Sequence, residues 1–376
     1  MQYGYRPHLY YLCLICILLI APMGVVAQEG DGTLPATAVI DAPLDSCPRY
    51  YYLPLIHGAD ATGNVASIAA VLPLVNDPPD INLDDQRLPL YPPALTRKVQ
   101  NVPVITSTLV FSVATSLWED PSPDPSGLDL YGPHSVIVSD SEVNERGAVK
   151  NVWIFDLESR HVQTSTSTIP NNISTEPTDI ATAQDGTIII TDDVRRRIIS
   201  AKMDQDGNLV ELHSFYTSFY GSIDPEGVDL FERADGLYLV TADAVSHTIY
   251  THYAGANGIF DGPCTPGDDS VQQFDAAQLG FLQPGGVYAI PDAVGTGVTY
   301  YLVGDPDRDH ISVVYAKDGV AELVQKIDIG ELDQYKKMAG IVVMENGQIV
   351  LVFRNVDNDS NPNENDGILA VIEPVS

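Results

Sequence analysis

The chain of 376 residues is poor in positive charge: 19 Lys and Arg stand against 51 Asp and Glu, a formal net charge of −32. A field of that sign repels phosphate backbones and anionic bilayers, so nucleic acid is excluded as a ready partner. It suits cations, basic partners or simple solubility in salt. Cysteine is scarce as well. Two of the four cysteines, Cys13 and Cys16, fall within the first 27 residues, which leaves Cys47 and Cys264. In an exported chain such a pair implies one disulfide, Cys47 to Cys264; two free thiols are the alternative, because sequence does not set their separation. Long apolar runs are missing after residue 27, so no membrane span is expected. Helical periodicity is nearly absent, with Ser270 to Leu279 as the best candidate. There is no G-x-S-x-G, no H-E-x-x-H and no phosphate-binding loop.

What is present begins with a leader. Arg6 and His8 precede an apolar core, Leu12 to Ile20, and Val25-Val26-Ala27 supplies small residues for cleavage. This reads as a signal peptide over residues 1–27. The mature chain keeps 18 basic residues against 51 acidic ones, or −33. It is expected to be secreted or extracytoplasmic. Residues 28–70 read as an N-terminal extension or linker, tied down if Cys47 is bridged. Residues 71–376 read as the folded body.

That body repeats. Proline, one or two small or polar residues and a β-branched residue recur at Pro133-His134-Ser135-Val136, Pro177-Thr178-Asp179-Ile180, Pro225-Glu226-Gly227-Val228 and Pro284-Gly285-Gly286-Val287. A degenerate copy is Met338-Ala339-Gly340-Ile341. Tight-turn dipeptides follow, Asp185-Gly186, Asp235-Gly236 and Asn346-Gly347, each leading into a β-rich run. Four short strands per unit, at intervals of about 45 to 60 residues, is the arithmetic of a propeller blade. The expected fold is an all-β propeller of six four-stranded blades, with five or seven as alternatives. Val102 to Trp118 holds strand material upstream of the visible copies. It is placed to join the last blade to the first, since an open ring leaves bare strand edges.

Ala254 to Pro263, with its Ala-Gly and Asp-Gly steps, resembles the lead-in of NHL-type propeller repeats. Phe274 to Leu279 and Pro284 to Val287 resemble its continuation, and Pro177 to Ile199 resembles the same unit. The likeness extends over Pro133 to Ser376, with two copies matching well. It implies a propeller whose relatives include protein and nucleic-acid binders and a few enzymes. A weaker resemblance is to six-bladed propellers of the gluconolactonase and regucalcin kind, which implies calcium in the channel and lactone hydrolysis. Those proteins hold the ion with one Glu, one Asn and one Asp. Their early-blade Glu-Gly-Pro phrase is missing here; Glu226-Gly227 is followed by Val228 in a middle blade.

Superposing the repeats selects residues that meet at the channel mouth. The position after the phrase proline holds His134, Thr178, Glu226, Gly285 and Ala339. The end of the second strand holds Asp192, Asp243, Asp305 and Asn355. His134, Asp192, Glu226, Asp243, Asp305 and Asn355 are therefore the candidate binding residues. Glu226, Asp243 and Asp305 are the candidate ligands for a hard cation such as calcium, which takes six to eight oxygens. Asp also ends strands for local reasons, by capping loops through its own side chain. Arg195-Arg196-Arg197 is the basic cluster of the chain, expected to pair with Asp192 and Asp193. The leading reading is a monomeric secreted binding propeller that presents a small molecule, glycan or protein site at its mouth. A calcium-dependent hydrolase of the lactonase or esterase kind is the second reading. An extracellular scaffold with an exposed apolar patch is the third. Whether the chain is an enzyme stays open at this point.

Overall fold

The computed structural model describes residues 94–97, 101–142, 150–262, 269–291, 299–306, 308–317, 320–335, 337–354 and 367–375. The expected signal peptide, the 28–70 extension, Cys47, Cys264 and Asn355 lie outside the described residues. Two N-terminal strands, β1 (Leu95–Arg97) and β2 (Val104–Ala114), precede a series of antiparallel sheets. Blade one is β3 (Pro125–Leu130), β4 (Ser135–Asp140), β5 (Val152–Asp156) and β6 (His161–Thr166). Blade two is β7 (Pro177–Thr182), β8 (Ile188–Asp192), β9 (Arg197–Met203) and β10 (Leu209–Tyr216). Blade three is β11 (Pro225–Arg233), β12 (Gly236–Asp243), β13 (Thr248–Tyr253) and β14 (Ser270–Asp275). Blade four is β15 (Val287–Pro291), β16 (Thr299–Val303), β17 (His310–Lys317) and β18 (Val320–Asp328). Blade five is β19 (Met338–Val343), β20 (Ile349–Phe353), β21 (Ile368–Val375) and, as its outermost strand, β2.

The strands form because each blade is packed on both faces. In β8, Ile188 and Ile190 enter the wedge against blade one, beside Ile137 and Ile154. Ile189 enters the opposite wedge, against blade three, beside Leu239 and Val271. A period of two thus sends alternate side chains to alternate neighbours, and a strand apolar on both faces reads as an unbroken run. All three isoleucines are buried, each contributing on the order of 2 kcal/mol. In β20, Ile349, Leu351 and Phe353 pack toward blade four while Val350 and Val352 pack toward blade one. Hairpin turns carry the expected chemistry: Gly186 adopts φ +82°, and Asp185 Oδ1 accepts the Thr187 N–H at 2.9 Å.

The ring closes at five. The innermost strands β3, β7, β11, β15 and β19 neighbour one another in cyclic order, with β19 against β3. One apolar cluster fills each of the five wedges. The expectation of six blades is corrected accordingly. The strand material at Val102 to Trp118 belongs to no sixth blade; β2 runs antiparallel along β21 and completes the fifth. The start of β2 also lies parallel to β18, Val104 opposite Lys326, and β1 lies parallel to the other end of β18. The repeat phase also shifts in the first copy. Pro133 sits in the turn after β3, and the true counterpart of Pro177 and Pro225 is Pro125. The best helical candidate, Ser270 to Leu279, is β14 followed by a short 3-10 turn.

Near the axis the innermost strands touch backbone to backbone. A Cβ on Gly227 would lie 2.2 Å from Gly285 O, and one on Gly286 would lie 2.3 Å from Ala339 O. Glycine is required there by proximity rather than by conformation.

Candidate functional site

Every innermost strand starts on the same face, where every second strand ends. The residue after Pro125, Pro177, Pro225, Pro284 and Met338, the equivalent positions at the start of the five innermost segments, therefore forms a ring: Ser126, Thr178, Glu226, Gly285 and Ala339. All five line one cavity of about 120 Å³ at the mouth of the axis. Ser126 Oγ donates to Pro177 O at 3.0 Å and Thr178 Oγ1 donates to Pro225 O at 2.9 Å, so each hydroxyl ties its blade to the next. Glu226 faces Arg354, with Nη2 to Oε2 at 3.4 Å; Gln283, Lys337 and Pro306 complete the wall.

Below this ring lies a buried aspartate at the end of the second strand in four of the blades. Asp243 Oδ2 accepts from Ser222 Oγ at 2.7 Å, Ile223 N at 2.7 Å and Asp224 N at 2.9 Å, while Oδ1 accepts from Ser246 N at 2.6 Å. Asp192 accepts from Ser174 Oγ and Arg195 N, both at 2.7 Å. Asp140 accepts from Ser122 Oγ at 2.8 Å. Asp305 accepts from Leu282 N at 2.7 Å, with Phe281 in the place of the serine. Blade five has Phe353 opposite Met338, the register position these aspartates occupy. These carboxylates clasp the loop that enters each of the first four blades.

The clasp fixes what precedes the innermost strand. Asp124, Glu176, Asp224, Gln283 and Lys337 occupy that position in the five blades. The residue after the clasping position is Ser141, Asp193, Ala244, Pro306 and Arg354. Acidic groups thus gather on blades one to three and basic ones on blade five. Asp193, Asp224 and Glu226 bring carboxylate oxygens within 4.8 Å of one another.

Crowding and burial show in the protonation of these groups. Burial, then Asp192 and Glu142, push Glu176 up to about 7. Burial, then Glu176 and Glu226, push Asp193 up to about 7. Asp224 is raised by burial and by Asp243. Glu226 is raised by burial, against the pull of Arg354. Burial works against the charge of Arg354, and Glu226, Glu142, Asp193 and Asp124 outweigh it.

Deeper on the axis three aspartates are buried. Asp179 Oδ1 accepts from Leu128 N at 3.1 Å and Oδ2 from Val228 N at 2.7 Å, bridging blades one, two and three. Asp129 accepts from Thr182 N at 2.5 Å, and Asp229 from Ala289 N at 2.6 Å. In blade four the equivalent residue is Tyr288, whose hydroxyl donates to Val343 O at 3.3 Å. Burial lifts Asp129 to about 6 and holds Asp179 and Asp229 well above the usual carboxylate range.

Of the sequence candidates, Glu226 stands at the mouth. Asp192, Asp243 and Asp305 lie beneath it as clasps, and the structure groups Glu226 with Asp193 and Asp224 instead of with Asp243 and Asp305. His134 is corrected: it lies in the turn between β3 and β4, at the opposite end of the blade, exposed and 3.5 Å from Glu158. Ser126 holds its place in the ring. The arginine cluster is also corrected. Arg195 donates to Asn172 O and Oδ1, and Arg197 to Ile173 O, with Glu211 3.7 Å away. Asp193, Asp224, Glu176, Lys337 and Arg354 were not singled out from sequence as site residues. A usable signal was present: Ser-x-Asp/Glu-Pro occurs at 122–125, 174–177 and 222–225.

No protein-family model matches the chain, and no curated protein matches its sequence. Among solved structures, glutaminyl cyclase from Myxococcus xanthus is similar at 12% identity and a TM-score of 0.44, covering 74% of this chain and 100% of that one. An exo-β-1,3-galactanase from Phanerochaete chrysosporium is similar at 12% identity and a TM-score of 0.45, covering 72% and 64%. A protein assigned to the gluconolactonases is similar at 12% identity and a TM-score of 0.38, covering 70% and 93%. The chain is a β-propeller by its own sheet order, and neighbours this distant assign it no activity.

Proposed function

We propose that this protein is an exported binding propeller whose mouth takes the cationic part of a small ligand. One observation carries the reading: equivalent positions of all five blades line one cavity with Glu226, Lys337 and Arg354 in its wall, and Glu226 stands with Asp193 and Asp224, their carboxylate oxygens within 4.8 Å of one another. Burial first, and then the neighbouring carboxylates, push Glu176 and Asp193 up to about 7. An amine or a metal ion seated among Asp193, Asp224 and Glu226 relieves that repulsion, and a ligand's carbonyl or hydroxyl then meets Lys337 and Arg354.

The second reading, a calcium-dependent hydrolase, is favoured by the approach of those three carboxylates to within 4.8 Å. They supply three of the six to eight oxygens that calcium takes, and carbonyls or water supply the rest. A bound calcium polarises a carbonyl, and a carboxylate titrating near 7 suits a general base.

Thermal unfolding of the mature chain separates these readings. A ligand at about a hundred times its Kd adds roughly 2.7 kcal/mol, a midpoint rise of about 5 °C. Calcium chloride is expected to give such a rise, reversed by chelator and absent in Asp224→Asn and Glu226→Gln. If calcium has no effect while choline or ethanolamine stabilises, the organic cation is the ligand and the hydrolase reading falls. If none of the three shifts the midpoint, the mouth is not a cation site.

A further inference from the structure

A second cavity, of about 380 Å³, opens on the same face, outside the ring of innermost strands, in the wedge between blades three and four. Its size falls in the range of pockets that hold whole small molecules. Ser312 on β17 and Lys326 on β18 are direct cross-strand partners, and both line it. Leu279 and Phe281, at the 3-10 turn that leads into blade four, form an apolar wall with Leu323. Val102, just before β2, closes the outer side.

The basic side chains lining this groove differ in their commitments. Arg308 donates to Gly280 O at 2.9 Å and stands 3.8 Å from Asp305. His310 Nδ1 is 2.8 Å from Asp309 Oδ1. Lys326 makes no side-chain hydrogen bond or ion pair among the described residues, and neither does the Ser312 hydroxyl. The Lys326 ammonium, which feels the charge of Asp309, stands beside the apolar wall of a groove that Asp305 also lines. One ammonium and one hydroxyl match a single carboxylate; a phosphate monoester, with two charges, would need a further cation, and Arg308 is engaged.

We propose that this groove binds a small organic carboxylate with an apolar body, its carboxylate on Lys326 Nζ and Ser312 Oγ and its hydrocarbon against Phe281, Leu279 and Val102. The site is separate from the mouth: Pro306 lines the axial cavity, whereas Arg308, two residues on, lines the groove.

The test is calorimetric titration of the mature chain with octanoate, acetate and octanol. Octanoate is expected to bind one to one, more tightly than acetate, which lacks the body, and than octanol, which lacks the charge. Lys326→Met keeps the apolar stem and loses the ammonium, so octanoate binding weakens about tenfold or more while octanol binding is unchanged. Val102→Trp fills the groove and abolishes both, and it carries the comparison if Lys326→Met does not fold. Glu226→Gln leaves octanoate binding intact. The proposal is overturned if octanoate gives no binding heat at millimolar concentration, if Lys326→Met binds it as tightly as the unaltered chain, or if acetate binds as tightly as octanoate.

Discussion

At the scale of single residues, the axis is governed by what does not fit. Gly227 and Gly286 stand where the strand of the next blade leaves no room for a methyl group, because the atoms a Cβ would meet are main-chain oxygens. A backbone cannot step aside as a flexible side chain can, so Gly227→Ala forces adjacent blades apart. Overpacking of this kind costs about 1–3 kcal/mol, and urea unfolding is expected to show a lower midpoint with an unchanged slope. The same crowding explains Asp179, which replaces glycine in blade two and uses the space that Gly127 leaves. Its two oxygens satisfy main-chain N–H groups of both flanking blades, so a polar residue serves here as an inter-blade tie.

At the scale of elements, the entry loop and the second strand act as one unit through the clasping aspartate. Asp243→Ala leaves four donors without their acceptor. We expect a loss of about 3 kcal/mol, read by urea unfolding, and weaker cation binding at the mouth because Asp224 is no longer held. This unit also shows what was legible in the sequence. Turn dipeptides and β-branched runs announced the blades, because tight hairpins need φ > 0 and doubly packed strands need apolar side chains on both faces. The first blade was read out of phase because Pro121, Pro123 and Pro125 crowd its true start, while Pro133 in the following turn mimics it. The strand-end aspartates were located correctly along the chain, but side-chain direction was not legible. Successive residues of an extended chain point to opposite sides, so Asp192 and Phe353 turn under the loop while Asp193 and Arg354, one residue on, stand at the rim. Glu226 was recognised because its ring position is set by the start of the strand, which the proline marks.

At the scale of the whole molecule, acidity is unevenly compensated, and stability should record it. Glu176 and Asp193, near 7, and Asp129, near 6, hold protons more tightly in the folded state than in the unfolded chain. Their ordinary values lie near 4. Between about pH 4 and 7 the folded state therefore carries the extra protons, and stability falls as pH rises through that window. The thermal midpoint is expected several degrees higher at pH 5 than at pH 8. Glu176→Gln with Asp193→Asn should flatten the profile, as should a saturating cation at the mouth. A profile that rises over the same window would contradict these protonation states.

Ring closure through β2 also imposes an order of assembly. Ala114 and Ile368 lie opposite each other in blade five, with four complete blades between them in the chain. During synthesis the earliest of these strands must wait for the latest, and the last blade cannot form until β21 has left the ribosome. Blades one to four can each assemble from consecutive chain as it emerges, whereas blade five depends on two distant segments meeting. Cutting between β2 and β3 and joining β21 to β2 would make every blade contiguous, so this propeller lends itself to circular permutation, which would convert its slowest encounter into a local hairpin.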